Sequence, residues 1–197
     1  MHPEVPEGAT PIDPDEAAGL RMSWVATQGE LNAVEQANIL EAQAWLARRR
    51  GGDVLTETFV RDLHRRMLGN VWEWAGTFRQ NNKNLGVDWP TIGERLRQVL
   101  DDARYWCDNG TYGPDEVGVR FHHRLVTVHC FPNGNGRHAR LAADALMRQL
   151  GEPPFSWGAG GGDVSLVSPS TARQRYLEAL RAADRHQIAP LLQLARS

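Results

Sequence analysis

Apolar residues recur at helical spacing along most of the chain, and glycine or proline separates the segments that carry them. Leu55, Phe59, Leu63 and Met67 fall at intervals of four residues, which predicts a helix with one buried face. The same spacing, bounded by capping or helix-breaking residues, predicts helices over residues 27–50, 55–68, 90–106, 114–129, 136–150 and 169–185. A short tail helix is expected after Pro190. Strands do not alternate with these helices, so we expect a mostly α fold of six or more helices.

Two segments depart from this helical pattern. Residues 1–24 contain four prolines and few residues to bury, which predicts an extended N-terminal arm ahead of a single domain over residues 25–197. Residues 77–89 place the polar run Gln-Asn-Asn-Lys-Asn between two short stretches of apolar or β-favouring residues. That arrangement predicts a small β-hairpin.

The composition argues against several classes of protein. The net charge is −2, so the chain lacks the basic surface of a dedicated nucleic-acid-binding protein and we expect no direct nucleic-acid binding. No apolar run approaches the roughly 18 residues of a membrane-spanning helix, and the N-terminus lacks the features of a signal peptide. The two cysteines, Cys107 and Cys130, are too few for a disulfide framework. We expect a cytoplasmic protein that does not bind membranes.

The most informative segment is residues 129–140, which reads HCFPNGNGRHAR. Gly134, Asn135 and Gly136 belong to an Asn-Gly-Asn-Gly run whose residues tolerate positive φ angles, immediately before a predicted helix. Such a turn directs consecutive backbone N–H groups into one concavity, and the helix N-terminus adds partial positive charge. These are the features of a phosphate-binding site.

Charged and titratable side chains flank this turn. Arg137 and Arg140 lie three residues apart, on neighbouring turns of one helix, where both guanidinium groups can bind phosphate oxygens. His129 ends the preceding helix, where an imidazole can accept a proton near neutral pH. Each feature also has a plainer explanation: a helix-capping histidine, a tight turn and a solvated helix face. Their combination within twelve residues predicts a site for transfer of a phosphate-containing group.

These twelve residues resemble the signature of the Fic family, His-x-Phe-x-Asp/Glu-Gly-Asn-Gly-Arg-x-x-Arg, at every fixed position except the acidic one. Further matches to the family follow the same order along the chain: Leu63-His64, Trp74-Ala75-Gly76, Phe78-Arg79 and the helix at 121–125. Together with Glu30-Leu31-Asn32, the motif is most similar to a subgroup called mobile mystery protein B. The resemblance covers about residues 25–190 and implies a Fic-like helical bundle with a small β-hairpin flap.

The resemblance implies an activity and a set of residues that perform it. Fic proteins move AMP from ATP to a Ser, Thr or Tyr hydroxyl of a target protein, with Mg²⁺. By this resemblance, His129 would be the general base and Phe131 would anchor the motif loop in the core. The anion hole and the triphosphate-binding arginines would be Gly134, Asn135, Gly136, Arg137 and Arg140.

The same resemblance assigns a role to the predicted hairpin. Residues 77–89 would be a flap that aligns a segment of the target by strand addition. The aligning residues would be Asn84, Leu85, Gly86 and Val87. Strand addition uses main-chain hydrogen bonds, so it implies little about the sequence of the target, which stays unknown.

The chain departs from the family pattern at two points. Asn133 replaces the acidic residue that holds Mg²⁺, and an amide oxygen brings no charge, so we expect weak, nucleotide-dependent Mg²⁺ binding and slow turnover. No glutamate follows Ser or Thr at the four-residue spacing of the family's inhibitory helix, although Glu35 could serve by proximity. The subgroup therefore suggests a restraining partner in trans, a helix-turn-helix companion called mobile mystery protein A.

Two other readings of the motif remain open. The chain could be a regulatory module that binds a nucleotide or phosphate with little or no turnover, or it could transfer a different phosphate-containing group. The histidines of this region (His122, His123, His129 and His138) lack the spacing of zinc ligands, so no zinc site is expected. Cys130 lies beside the proposed base, at a position that varies in the family.

Overall fold

Helices form nearly all of the regular structure in residues 12–158 and 171–197, which the computed structural model describes. In chain order they are α1 (Pro14–Ala17), α2 (Gln28–Arg48), α3 (Glu57–Leu68), α4 (Ile92–Asn109), α5 (Pro114–Val128), α6 (Asn135–Gln149), α7 (Thr171–Asp184) and α8 (Ala189–Arg196). The mostly α fold predicted from the sequence is confirmed. The predicted start of the helix at residue 169 lies outside the described residues.

Local capping explains why the helix boundaries could be predicted. At the start of α2, the Thr27 hydroxyl accepts a hydrogen bond from Glu30 N (3.2 Å), and the Glu30 carboxylate accepts one from Thr27 N (2.9 Å). Thr56 caps α3 in the same way through Phe59 N, at 3.1 Å. Gly110 ends α4 in the left-handed conformation, with φ +58°, which glycine adopts without steric cost.

The two helices on either side of the motif approach each other closely. Gly118 of α5 makes this possible, because a Cβ there would lie 2.6 Å from Met147 Sδ of α6 and 2.8 Å from Phe155 Cε2. Leu146 and Met147 of α6 are fully buried in the same core. The core therefore fixes α5 against α6, and with them the loop of residues 129–134 that joins the two helices.

The described part of the N-terminal arm differs from the extended segment expected from its prolines. Pro14 is the first residue of α1, a position where the missing N–H of proline costs little. Further on, Arg21 N donates to Val71 O and Glu73 N donates to Gly19 O, both at 2.9 Å. Residues 12–21, which we call the strap, therefore pack along the segment that follows α3.

Residues 77–89, the flap, do not form the predicted β-hairpin. Within the described ranges the structure contains one isolated bridge, between Leu20 and Trp72, and no strand ladder. The buried Arg79 guanidinium donates to the carbonyls of Asn81 and Val87. In a β-hairpin, backbone N–H groups of the opposite strand would donate to such carbonyls. Here the Arg79 side chain donates to them instead and holds the loop.

No helix among residues 12–158 and 171–197 combines the length and the apolar character needed to cross a membrane.

Candidate active site

The loop between α5 and α6 begins and ends with a residue in the left-handed conformation. His129 has φ +55° and ψ +60°, and Gly134 has φ +77°. Together they reverse the chain, so that the last turn of α5 and the first turn of α6 meet at one end of the helix pair. A non-glycine residue in this region is uncommon, and such residues cluster at functional sites.

Interior side chains hold this loop in place. Phe131 is fully buried, and its ring stacks on His64 of α3 with centroids 3.8 Å apart. The buried Asn135 side chain accepts a hydrogen bond from Phe131 N (2.9 Å) and donates one to Phe131 O (2.7 Å). The side chain of Asn135 therefore braces the loop, and only its backbone is placed to contribute to an anion hole.

His64 ties the loop to the segment before the flap. Its Nδ1 accepts a hydrogen bond from Gly76 N (2.9 Å), so Nε2 carries the hydrogen that bonds the Asn133 carbonyl at 3.0 Å. Complete burial lowers the pKa of His64 well below its usual value, with the neighbouring His138 and Arg137 adding to the effect. His64 is thus a neutral side chain that links α3 to the motif loop at Asn133, 69 residues further along the chain.

The backbone amides at the start of α6, which we call the cradle, are the groups from which the sequence predicts an anion-binding concavity. His138 N donates to Gly134 O (2.9 Å), so the amides of residues 135–137 precede the helical bonding pattern and are the donors suited to an anion. The Gly134 amide instead donates to Asn133 Oδ1, at 2.5 Å. A Cβ on Gly134 would lie 2.7 Å from Leu68 Cδ1, and the positive φ of this residue also favours glycine.

His129 is held as a neutral imidazole beneath the flap. The residue is 6% exposed, and a Cβ on Gly86 would lie 2.6 Å from His129 Cβ. Burial, followed by the charge of Arg79, lowers the pKa of His129 to about 4. Its ring also bonds the Val126 carbonyl. Because a neutral imidazole has one N–H, donation to Val126 leaves the other ring nitrogen as a proton acceptor.

The two motif arginines have different environments. Arg137 Nη1 lies 2.8 Å from Glu35 Oε2 of α2, and the other Glu35 oxygen accepts a hydrogen bond from Trp72 Nε1 at 2.7 Å. Both members of this ion pair are largely buried, with side chains 15% and 6% exposed. Arg140 instead lies over the ring of Tyr176 in α7, with Cζ 5.1 Å from the centroid. The structure therefore brings Glu35 to the motif, at the first arginine and not at the second.

A sequence profile of the Fic/DOC family matches residues 54–147, from just before α3 into α6. The chain contains a Fic/DOC family domain. It is 30% identical over 137 residues to "Protein adenylyltransferase fic-1" of Caenorhabditis elegans and 28% identical over 137 residues to "Protein adenylyltransferase Fic" of Drosophila melanogaster. Each match covers 68% of this chain and 25% or 26% of the relative, so the chain spans about a quarter of the length of these curated relatives.

Solved structures show the same fold. Fic-1 from C. elegans superposes with a TM-score of 0.63 at 25% identity, covering 90% of this chain and 50% of that one. BepC of Bartonella tribocorum, solved with bound AMPPNP, gives a TM-score of 0.67 at 15% identity, covering 91% and 94% of the two chains. The superposition therefore covers nearly all of the BepC chain in that structure and half of the Fic-1 chain.

The residues of the Fic domain do not fit a protein-held Mg²⁺. Asn133 stands at the acidic position of the family motif, and its amide oxygen already accepts the Gly134 N–H. Among the described residues, no group of three or more His, Cys, Asp or Glu side chains is placed to hold a metal ion. Mg²⁺ binding at a protein site depends on carboxylate oxygens, and the cradle offers amides and arginines in their place.

Cys130 is unsuited to nucleophilic chemistry. The residue is 1% exposed, and its burial raises the pKa of the thiol to about 12. A thiolate is the reactive form, and it is absent at neutral pH with such a pKa.

The structure adds three residues to the site that the sequence did not assign to it. Arg79 and His64 hold the flap and the motif loop from the interior, and Tyr176 lies beneath Arg140. The first two lie in the stretches that match the family, Phe78-Arg79 and Leu63-His64, and the sequence match alone does not indicate a role for them. Tyr176 carries no motif signal, because only the packing of α7 places it beside α6.

Proposed function

We propose that this Fic domain transfers AMP from ATP to a Ser, Thr or Tyr hydroxyl of a target protein. The observation that carries the proposal is the neutral His129, which ends α5 five residues before Gly134 begins α6. The relatives' name, protein adenylyltransferase, supports the same chemistry. The motif arginines, Arg137 and Arg140, are the cations that would accompany the cradle, and the Arg137 guanidinium also pairs with Glu35.

In the proposed reaction His129 acts as general base. The hydroxyl proton of the target moves to the unprotonated ring nitrogen of His129 while the hydroxyl oxygen bonds to the α-phosphorus of ATP. The bond from that phosphorus to the oxygen bridging the α- and β-phosphates breaks, and pyrophosphate leaves with the electron pair. The amides of residues 135–137 and the guanidinium of Arg140 stabilise the negative charge on the phosphate oxygens.

The flap would align the target segment through its exposed residues. Asn84, Leu85 and Gly86 are exposed, whereas the carbonyl of Val87 accepts from Arg79 and its N–H donates to Val128 O at 3.4 Å. We therefore place main-chain pairing with the target at residues 84–86 and remove Val87 from the set predicted from the sequence. Gly86 is in close contact with His129, since a Cβ on Gly86 would lie 2.6 Å from His129 Cβ. A target segment paired with the flap at Gly86 would therefore bring a target hydroxyl near the base.

The proposed Mg²⁺ would be held by the nucleotide phosphates, since Asn133 at the acidic position of the motif brings no charge. We expect weak Mg²⁺ binding that requires nucleotide, and slow turnover. Titration of the purified protein with Mg²⁺ alone should give no tight binding, and a tight site without nucleotide would contradict this expectation.

Regulation by a second protein is proposed on the family pattern alone. A helix-turn-helix partner would supply a restraining helix in trans, as the mobile mystery protein pairing suggests. The pairing of Glu35 with Arg137 is a contact within this chain that already involves a motif arginine. Co-purification of the chain with such a partner, together with loss of labelling in the complex, would support the proposal.

The proposed activity is tested with ATP labelled in its α-phosphate. Incubation with a cell lysate should label a protein band or the domain itself, and the His129→Ala variant should lower the label by about 10² to 10⁴-fold, the range for loss of a general base. His186→Asn, at an exposed histidine beyond α7, is the matched control and should label normally. Equal labelling by His129→Ala and wild type would exclude His129 as the base.

A second candidate function is a nucleotide-binding module without turnover. It is favoured by the uncharged Asn133 and by the pairing of Arg137 with Glu35, both of which reduce the charge available to a reacting triphosphate. Calorimetric binding of ATP with no labelling, unchanged in Asn133→Asp, would support this function. Labelling gained in Asn133→Asp would instead show a competent site that lacks metal. Transfer of a different group would appear as a different mass shift on the target.

A further inference from the structure

Tyr176 of α7 connects three helices at one buried hydroxyl. The residue is 5% exposed, and its hydroxyl lies 3.1 Å from His122 Nε2 of α5. Its ring lies beneath Arg140 of α6, with the guanidinium carbon 5.1 Å from the ring centroid. The hydroxyl also hydrogen-bonds Arg140, and because a guanidinium only donates, the tyrosine oxygen is the acceptor.

This contact lies at the edge of the cradle. A Cβ on Gly136 would lie 3.7 Å from the Tyr176 hydroxyl oxygen, so the hydroxyl borders the second residue of α6. Gly136 contributes one of the three amides that precede the helical bonding pattern. The ring and hydroxyl of Tyr176 therefore hold the Arg140 side chain at the end of α6 where the cradle opens.

His122 supports this arrangement because it remains uncharged. It is fully buried, and burial, followed by the positive charge of Arg140, lowers its pKa to about 3. A neutral imidazole can bond the Tyr176 hydroxyl without repelling the guanidinium beside it. The His122 ring is packed against Trp157, with centroids 4.5 Å apart, which restricts its orientation.

We propose that Tyr176 is a positioning residue that orients Arg140 for the phosphates of the nucleotide, with His122 fixing the tyrosine hydroxyl. The proposal rests on the proposed function, in which Arg140 binds the triphosphate. An arginine side chain loses rotamer freedom when it binds a ligand, and holding it in place beforehand lowers that cost. The Tyr176 ring restricts the Arg140 guanidinium by stacking beneath it, and the Tyr176 hydroxyl restricts it by accepting a hydrogen bond.

The test measures ATP affinity by calorimetry in Tyr176→Phe, which keeps the ring and removes the hydroxyl. Loss of a hydrogen bond to a charged group should weaken ATP binding by about 10-fold. Tyr105→Phe, at a tyrosine of α4 that is 60% exposed, is the matched control and should bind ATP as wild type does. Melting temperatures of both variants report whether the fold is intact.

A double-mutant cycle separates positioning from a general structural effect. In an Arg140→Gln background, Tyr176→Phe should cause no further loss of ATP affinity, because the residue acts through Arg140. An equal 10-fold loss in both backgrounds would overturn the proposal. His122→Phe leaves Tyr176 in place, removes the imidazole that bonds its hydroxyl and should weaken ATP binding several-fold. It serves as the second variant if Tyr176→Phe does not fold.

The remaining outcomes distinguish this inference from the function on which it rests. If wild-type protein binds ATP and Tyr176→Phe binds it equally well, the positioning role is wrong and the proposed function stands. If wild-type protein shows no ATP binding, the proposed function fails and the positioning role fails with it.

Discussion

Burial determines the chemistry of individual residues at the α5–α6 junction. The same loss of solvent lowers the pKa of His129 to about 4 and raises that of the adjacent Cys130 to about 12, because each shift favours the neutral form. At neutral pH the pair consists of a proton-accepting imidazole and an unreactive thiol. The buried Glu35 carboxylate is paired with the Arg137 guanidinium and bonded by Trp72 Nε1.

The pairing of Glu35 with Arg137 leads to a prediction at the residue scale. In Glu35→Gln the amide oxygen can still accept from Trp72, while the charge that holds Arg137 is removed. Calorimetry should show ATP binding about 5-fold tighter, because a charge-assisted bond no longer competes for the guanidinium. The melting temperature should fall by about 5 °C or more, since a buried cation is left without its partner.

Glu41→Gln, on an exposed part of the same helix, is the control and should change neither quantity. Weaker ATP binding in Glu35→Gln would show that Glu35 supports the site by holding Arg137 in position.

At the scale of elements, the strap holds the flap in place. Lys83 of the flap lies 2.6 Å from both Asp13 Oδ2 and Glu16 Oε2, and its side chain is 3% exposed. Asn81 Nδ2 also donates to Asp13 Oδ2, at 2.6 Å. Arg79 also bonds the flap to the His129 carbonyl at 2.7 Å. Polar side chains thus hold the flap to the strap and to the motif loop in place of a strand ladder.

Removing the Lys83 ammonium should therefore loosen the flap. In Lys83→Met the side-chain length is kept, but two carboxylates of the strap lose their buried cation. We expect amide hydrogen exchange in residues 80–87 to accelerate by about 10-fold or more, since local opening costs less free energy. The measurement is exchange followed by mass spectrometry of flap peptides.

Arg104→Met provides the matched control, because Arg104 forms an exposed pair with Asp53 at 2.6 Å. It should leave flap exchange unchanged. Unchanged exchange in Lys83→Met as well would mean that the other contacts of the flap, those of Arg79 and Asn81 among them, hold it without Lys83.

The elements that the sequence predicted are those specified by near neighbours. Helix ends follow from caps three residues away, such as Thr27 with Glu30, and the left-handed turn at Gly134 follows from a run of four residues. The flap and the strap follow from partners far along the chain, such as Asp13 with Lys83, 70 residues apart. The same holds within the site, where Glu35 and Arg137 are 102 residues apart. Pairings at such separations leave no periodicity or motif in the sequence.

Across the whole molecule, buried imidazoles make stability depend on pH. Burial lowers the pKa of His122 to about 3, of His129 and His138 to about 4, and of His64 well below its usual value. The unfolded chain has ordinary histidines with a pKa near 6.5. Between about pH 4 and 6.5 the unfolded state therefore binds more protons, so stability falls as the pH falls through this window.

One buried carboxyl opposes this trend. Burial raises the pKa of Asp144 to about 6, so the folded state gains one proton there that the unfolded chain lacks at pH 5. The net uptake on unfolding at pH 5 should be about three protons per molecule. Calorimetric unfolding in two buffers of different ionisation enthalpy measures this number, and the melting temperature should be lower at pH 5 than at pH 7. An uptake near zero would show that these imidazoles are protonated in the native state.

Because Lys83 is the only lysine in the chain and the strap covers it, amine chemistry supplies a reporter that needs no engineering. An acylating reagent that reacts with ε-amino groups has one side-chain target in this molecule, and it reaches that target only when the strap has detached. The rate of acylation at Lys83, measured by peptide mass spectrometry, would report how often the strap detaches from the flap. The same measurement can be made in the presence of a candidate substrate or companion protein.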